Sequence, residues 1–145
     1  MCVLRVTGAN FDAEGYLRTS ALRPCNVFRA GDPRVPSRPH GPVWSTSGFT
    51  VAVSDAEWSD LSRQVADACA FLERHAAELR ALVLSETVED VRLDVPIECR
   101  DGAFAQFNYF PPELVRAAGK LGIGIELSSY AASDQDDEDN GDSSA

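Results

Sequence analysis

Two carboxylates are the side chains of this sequence best suited to acid–base chemistry. Glu98 and Glu126 are each the polar member of a strand-like alternation, so we expect both on the open face of one sheet. Paired carboxylates protonate a leaving group and activate water when they lie within about 10 Å of each other. Glu98 and Glu126 are therefore the candidates for catalysis in a small enzyme, although no motif assigns them that role.

Other signatures of catalysis or metal binding are missing from the sequence. It contains no Gly-x-Ser-x-Gly elbow, no Walker loop and no Gly-x-Gly-x-x-Gly fingerprint. Two histidines and no Cys-x-x-Cys pair do not fit the ligand spacing of a zinc site, and we expect neither metal nor cofactor. Each cysteine lies in an apolar pattern, which favours free core thiols in a reducing compartment. The four are Cys2, Cys25, Cys69 and Cys99.

Charge limits the classes of partner. The net charge is −10, and six acids lie within residues 131–145, which leaves −4 for residues 1–130. Binding to nucleic acid requires a basic patch, so we expect no nucleic acid. An acidic surface attracts basic proteins by electrostatic steering, so a basic protein is a candidate partner; the alternative interpretation is that the charge serves solubility.

Apolar runs in the sequence are short. None approaches the roughly 18 residues that span a bilayer, so we expect no membrane association. The first apolar run, residues 2–6, is too short for a secretory signal and is typical of a strand. A cytoplasmic location follows by default.

A proline-rich loop, residues 30–47, is the first candidate binding surface. Its prolines recur every three residues, which would align them on one face of a polyproline II helix. Such a loop can act as a ligand for a partner or as a lid over a site. The alternative is a stiff arm that packs on the body with Trp44 as its anchor. The candidate binding residues in and beside this arm are Arg29, Asp32, Arg34, Arg38, His40 and Trp44.

The open sheet face is the second candidate surface. Alternation within the strands predicts which polar side chains it carries. A solvated face is the common outcome for such a sheet, and a protein-binding face is the alternative. The predicted set is Arg5, Thr50, Asp94, Glu98, Gln106, Asn108 and Glu126, among which Asp94, Gln106 and Asn108 are candidate binding residues.

Six strands and three helices are predicted to hold these residues. Phe49–Val53 alternates as a half-buried strand, and Ser54 with Glu57 matches a capping box that opens a long helix to about Leu82. Asp101–Gly102 predicts a hairpin turn that returns the chain as a strand over residues 103–110. The remaining predicted strands are 2–7, 25–29, 91–99 and 123–128, and the remaining helices are 12–19 and 111–121.

These elements indicate an α/β (α+β) fold in βαβ-βαβ-βαβ order. We expect a single mixed six-stranded sheet with the three helices packed on one face. Residues 1–130 would form a single globular domain. Residues 131–145 would form a disordered acidic tail, since they hold almost no apolar side chain.

Three segments resemble a family of small bacterial proteins described as domain of unknown function 4279: Ser47–Asp55, Phe107–Leu114 and Leu121–Leu127. The resemblance spans most of residues 2–130. It implies a bacterial, cytosolic, single-domain protein, and it brings no established activity and no catalytic residue. We therefore expect a non-enzymatic protein-binding or accessory protein of the immunity type, with a small enzyme or a structural homodimer as alternatives.

Overall fold

The computed structural model describes residues 1–131. The predicted disorder of the acidic tail concerns positions that fall almost entirely outside this range. Within it the chain forms five strands and four helices. They are β1 (Cys2–Gly8), α1 (Ala13–Leu17), β2 (Pro24–Phe28), β3 (Ser47–Ser54), α2 (Leu61–Arg74), α3 (Ala76–Val83), β4 (Asp90–Cys99), α4 (Pro112–Leu121) and β5 (Gly124–Ala131).

The strands form one mixed sheet in the order β2-β3-β1-β4-β5. β1 pairs antiparallel with β3 and with β4, and β2 pairs antiparallel with β3. β4 and β5 run parallel because α4 carries the chain back between them. The predicted mixed α+β sheet is confirmed, with five strands instead of six and four helices instead of three.

Alternation along the strands decides which face is buried. Leu4 lies opposite Val51 on β3 and Leu93 on β4, and all three side chains are buried in the core. Buried side chains from all four helices join the same cluster, so the helices cover this one face of the sheet. The other face carries the polar members of each alternation, as the pattern predicts.

The strand predicted over residues 103–110 is wrong. The chain does turn at Gly102, where φ is 66°, but residues 103–110 follow an irregular extended path. β5 pairs with β4 continuously from Arg92 to Cys99, whereas β1 pairs with the other edge of β4 only from Asp90 to Asp94. Beyond β1, the amide of Glu98 donates to the carbonyl of Trp58 at 3.4 Å, and the carbonyl of Pro96 accepts from the Gln64 side chain at 2.9 Å. These contacts, and not a hairpin strand, satisfy the backbone at the end of β4.

The long predicted helix is divided and starts later. α2 begins after Asp60, whose side chain accepts a hydrogen bond from the amide of Arg63. The predicted capping box is therefore wrong, because the Ser54 hydroxyl donates instead to Asp67. α2 and α3 meet at His75, where φ is −104° and ψ is 14°. The apolar stripe persists across the break, so the period identified the buried face but not the ends of the helix.

A carboxylate joins α3 to the segment between α1 and β2. Glu78 accepts hydrogen bonds from the hydroxyls of Tyr16, at 3.0 Å, and Ser20. The Tyr16 ring stacks on Phe49, with the ring centroids 5.8 Å apart. Burial raises the pKa of Tyr16 to about 12, and the Glu78 carboxylate adds to this effect.

Replacement of Tyr16 tests this contact at alkaline pH. Because the folded-state pKa lies above the ordinary value of 10, Tyr16 contributes no pH dependence below pH 10. Between pH 10 and pH 12 the unfolded chain loses the proton first, so the free energy of unfolding falls as pH rises. Tyr16→Phe should lack this part of the slope in urea titrations, and the exposed control Tyr109→Phe should retain it. Equal slopes in the two variants would contradict the assignment.

Candidate functional site

The proline-rich arm folds on itself. The amide of Gly31 donates to the carbonyl of Trp44 at 2.8 Å, and the amide of Trp44 donates to the main-chain carbonyl of Asp32 at 2.9 Å. Pro33 and Val43 form an antiparallel bridge between the two limbs. The prolines therefore sit in a looped-back arm and do not line one face of a continuous polyproline II helix, so that prediction is wrong.

Most candidate residues of the arm serve its own fold. Trp44 stacks on Phe28 of β2, with ring centroids 4.2 Å apart, and anchors the arm as the alternative interpretation expects. The Arg34 guanidinium lies 5.3 Å from the centre of the Trp44 ring, and Arg29 pairs with Glu14. Two candidates, Arg38 and His40, lie at the exposed turn of the arm. Their role in binding stays a prediction.

Ion pairs cover the polar open face of the sheet. Asp94 lies 3.4 Å from the Arg5 guanidinium and accepts a hydrogen bond from the Ser128 hydroxyl. Glu126 pairs with Arg92 at 3.0 Å. The carboxylate of Asp90, and after it Glu126, raises the pKa of Arg92 above its ordinary value. These half-exposed pairs are typical of a solvated sheet face and contribute little to stability individually.

The register separates the two predicted catalytic carboxylates. Glu98 lies opposite Tyr130, whereas Glu126 lies opposite Asp94, four residues away along β4. Four residues of strand span about 13 Å. This distance exceeds the roughly 10 Å that an acid–base pair of carboxylates tolerates, so the fold does not bring Glu98 and Glu126 together for catalysis.

Gln106 and Asn108 lie in a different place from the one predicted. They belong to the irregular segment that follows β4, not to the open sheet face. The Gln106 amide donates to the carbonyl of Glu98 at 2.9 Å and accepts from the amide of Arg100 at 3.0 Å. It also donates to Asn108 at 3.4 Å. A single side chain thus holds the segment against the end of β4.

This segment forms one wall of a groove of about 580 Å³. Trp58, Ser59 and Leu61 also line it, together with the last residues of β4, Ile97 to Cys99, and the following Arg100. A volume of this size suits a side chain cluster or a small ligand.

A second glutamine, Gln64, holds the side of the groove that contains Trp58. Gln64 is fully buried, and its amide donates to the carbonyls of Pro96 at 2.9 Å and Glu57 at 3.2 Å. Trp58 itself stacks on Tyr130 of β5, with ring centroids 4.6 Å apart. Gln64 therefore ties the segment before α2 to β4, as Gln106 ties the segment after β4.

Five aromatic side chains are exposed on the groove or on the chain next to it; Trp58 and Phe107 line the groove, and the other three flank these two in sequence or by stacking. Phe104 and Phe107 are almost entirely in solvent, and Tyr109 is 73% exposed. Trp58 and Tyr130 are each exposed by more than two fifths. We call the five the aromatic surface: Trp58, Phe104, Phe107, Tyr109 and Tyr130.

Sequence reasoning did not identify the aromatic surface. Phe107 and Tyr109 were predicted on one face of a strand, and Trp58 at the start of the apolar helix stripe. The signal present in the sequence was the density of aromatic residues from 104 to 110. Their exposure is a property of the tertiary structure, in which residues 103–110 join no strand.

Other kinds of site receive no support from the described part of the chain. Residues 1–131 contain no cluster of three or more His, Cys, Asp or Glu side chains arranged to hold a metal ion. None of the helices described is both long and apolar enough to cross a membrane. All four cysteines are free; Cys2 is buried, but Cys25 is exposed on β2, which corrects its predicted place in the core.

Gln64→Glu tests the tie between α2 and β4. An ionised carboxyl at this position faces two carbonyl oxygens and has no hydrogen to donate. We expect the free energy of unfolding at pH 7 to fall by about 2–4 kcal/mol. The loss should shrink towards pH 4, because burial favours the protonated carboxyl, which donates one hydrogen bond. The half-buried control Gln106→Glu should lose much less in the same urea titrations, and equal losses would contradict the assignment.

Comparison with known proteins agrees with the resemblance seen in the sequence. The model of the family described as domain of unknown function (DUF4279) matches residues 1–132. Searches of curated proteins and of solved structures found no match. Because the match covers most of the 145 residues, the chain belongs to the family of proteins that carry domain of unknown function 4279.

Proposed function

We propose that this chain is a non-enzymatic protein-binding or accessory protein and that it binds its partner through the aromatic surface. Three exposed aromatic rings on one fixed segment, Phe104, Phe107 and Tyr109, carry the proposal. Monomeric proteins rarely leave several large apolar side chains together in water unless a partner covers them. Aromatic residues are also the side chains that contribute most at protein interfaces.

The segment that carries the rings is fixed before binding. Gln106 makes hydrogen bonds to both Glu98 and Arg100, and the segment runs directly into α4 at Pro112. A partner therefore loses little affinity to the ordering of this segment. The groove beside Phe107 provides a recess of about 580 Å³ for a projecting side chain of the partner.

Net charge favours a basic partner. Glu98 and Arg100 line the groove and Glu57 lies beside Trp58, so two acids face one base there, and none of the three forms an ion pair with another residue of the 1–131 range. The sequence adds six acids between positions 134 and 142. An immunity-type protein that blocks a basic partner would use charge in this way, since opposite potentials raise the rate of association.

The alternatives receive less support. A carboxylate enzyme requires Glu98 and Glu126 together, and the register separates them by about 13 Å. A structural homodimer is the second candidate, because β5 ends the sheet and pairs on one side alone within residues 1–131. A protein with this charge and four free cysteines suits a bacterial cytoplasm, and we propose that location.

Alanine substitution at the two most exposed rings tests the proposal. Immobilised full-length protein should retain one stoichiometric partner from a lysate of the source organism. Phe104→Ala/Phe107→Ala should weaken the purified complex by about tenfold or more, since aromatic anchors dominate interface energies. Calorimetric titration measures the affinity. The free energy of unfolding should change by less than about 0.5 kcal/mol, because both rings are in solvent.

Two control variants separate the aromatic surface from other surfaces. Leu84→Ala removes another exposed apolar side chain and should leave affinity unchanged. Arg38→Ala/His40→Ala removes the exposed side chains of the arm. Loss of the partner in the arm variant, with full affinity in the phenylalanine variant, would move the binding site to the arm and overturn the proposal.

A further inference from the structure

Within residues 1–131, the outer edge of β5 is long and regular and pairs with no other strand. β5 is the last strand of the sheet, and its eight residues pair with β4 without a bulge. It contains no proline and no lysine. Native proteins usually protect an edge with such residues, with a bulge or with a covering element, because its free N–H and C=O groups recruit another strand.

The opposite edge of the sheet shows the protection that β5 lacks. β2 has five residues, begins with Pro24 and carries an irregularity between Pro24 and Asn26. The arm follows it directly, and Trp44 packs on its last residue, Phe28. In the part of the chain that the structure describes, one edge of the sheet is therefore short and irregular, whereas the other is regular and unpaired.

Side chains beside the β5 edge are also only partly covered. Leu127 lies opposite Val95 on the helix-covered face, yet it is 39% exposed, whereas Val95 is buried. On the other face Tyr130 is stacked on Trp58 and remains accessible. An additional strand beside β5 would complete the cover of Leu127 and extend the aromatic surface.

Charge at one end of the edge favours basic residues in that strand. Glu126 and Tyr130 project from the same face of β5, but Glu126 is already paired with Arg92. Glu98, which forms no ion pair within residues 1–131, lies opposite Tyr130, and the sequence continues with six acids from position 134. A basic side chain on this face would meet Glu98 and the ring of Tyr130, while apolar side chains on the other face would meet Leu127.

We propose that an extended segment of the partner, with alternating basic and apolar residues, pairs with the outer edge of β5 as a sixth strand. This inference rests on the proposed function and names the chemistry of the partner. Main-chain hydrogen bonds along β5 supply affinity, and the alternating side chains supply specificity. A second copy of this chain is a poorer occupant, because each copy carries a net charge of −10.

A defined peptide tests the pairing without knowledge of the partner. The probe is a seven-residue peptide of alternating lysine and valine, added to full-length protein. Nuclear magnetic resonance gives the affinity and the hydrogen-exchange rate of each β5 amide. Two comparison peptides replace lysine with glutamate or methylate alternate backbone nitrogens. Two protein variants introduce lysine on the two edges, Leu127→Lys on β5 and Val27→Lys on β2, where the native side chains have nearly equal exposure.

Binding of the lysine peptide should slow exchange at alternate amides of β5, since every second N–H of a strand points outward. The glutamate peptide, the N-methylated peptide and Leu127→Lys should each weaken binding by about tenfold or more. Val27→Lys should bind like the wild type. Raising the salt from about 50 to 300 mM should weaken binding, since carboxylates attract the lysines.

Other outcomes overturn the inference. The inference fails if the lysine peptide does not bind. It also fails if the N-methylated peptide binds as tightly as the unmodified one, or if the lysine peptide binds without slowing exchange of the β5 amides. Protection of β5 that grows with protein concentration in the absence of peptide, together with a dimer mass in sedimentation, would assign the edge to a second copy. If Phe104→Ala/Phe107→Ala abolishes capture of the native partner and Leu127→Lys does not, the proposed function stands and strand addition fails.

Discussion

Hydrogen bonding at the end of β4 is the constraint on which the groove and the exposed rings depend. β5 pairs with one edge of β4 from Arg92 to Cys99, but β1 pairs with the other edge only from Asp90 to Asp94. Past that point the amide of Glu98 donates to the carbonyl of Trp58, and the carbonyls of Pro96 and Glu98 accept from Gln64 and Gln106. The segment that follows β4 is thus held by a side chain instead of a strand ladder, and its rings at Phe104, Phe107 and Tyr109 face solvent.

Two glutamines, Gln106 and Gln64, hold the segments that line the groove. Gln106 holds the segment after β4, and Gln64 holds the segment before α2, and both bond to main-chain groups of β4. Such bonds orient backbone that regular secondary structure leaves unpaired. The groove is thus a consequence of how the chain satisfies its polar backbone at the end of a strand.

The distribution of charge is consistent with binding better than with catalysis. On the open face, Asp94 and Glu126 are matched by Arg5 and Arg92, so that surface is close to neutral. At the groove, Glu57 and Glu98 form no ion pair within the part of the chain described, and neither does Arg100, which lines the same groove. A small excess of carboxylate beside exposed rings suits a basic, partly apolar partner, because charge and apolar surface supply different components of recognition.

The sequence by itself determined the elements and their buried faces. Alternation in β1, β3 and β4 and the helical stripe from Val65 to Leu79 predict the core, and three segments indicate the family. The sites were less predictable. Trp44 was correctly identified as an anchor, whereas Glu98 and Glu126 were grouped although the register separates them. Only the tertiary structure decided which strand pairs with β4. The pairing depends on the free energies of contacts between residues that are far apart in the chain. A local sequence pattern carries no information about these distant contacts. The exposure of Phe104, Phe107 and Tyr109 is therefore visible only in the folded structure.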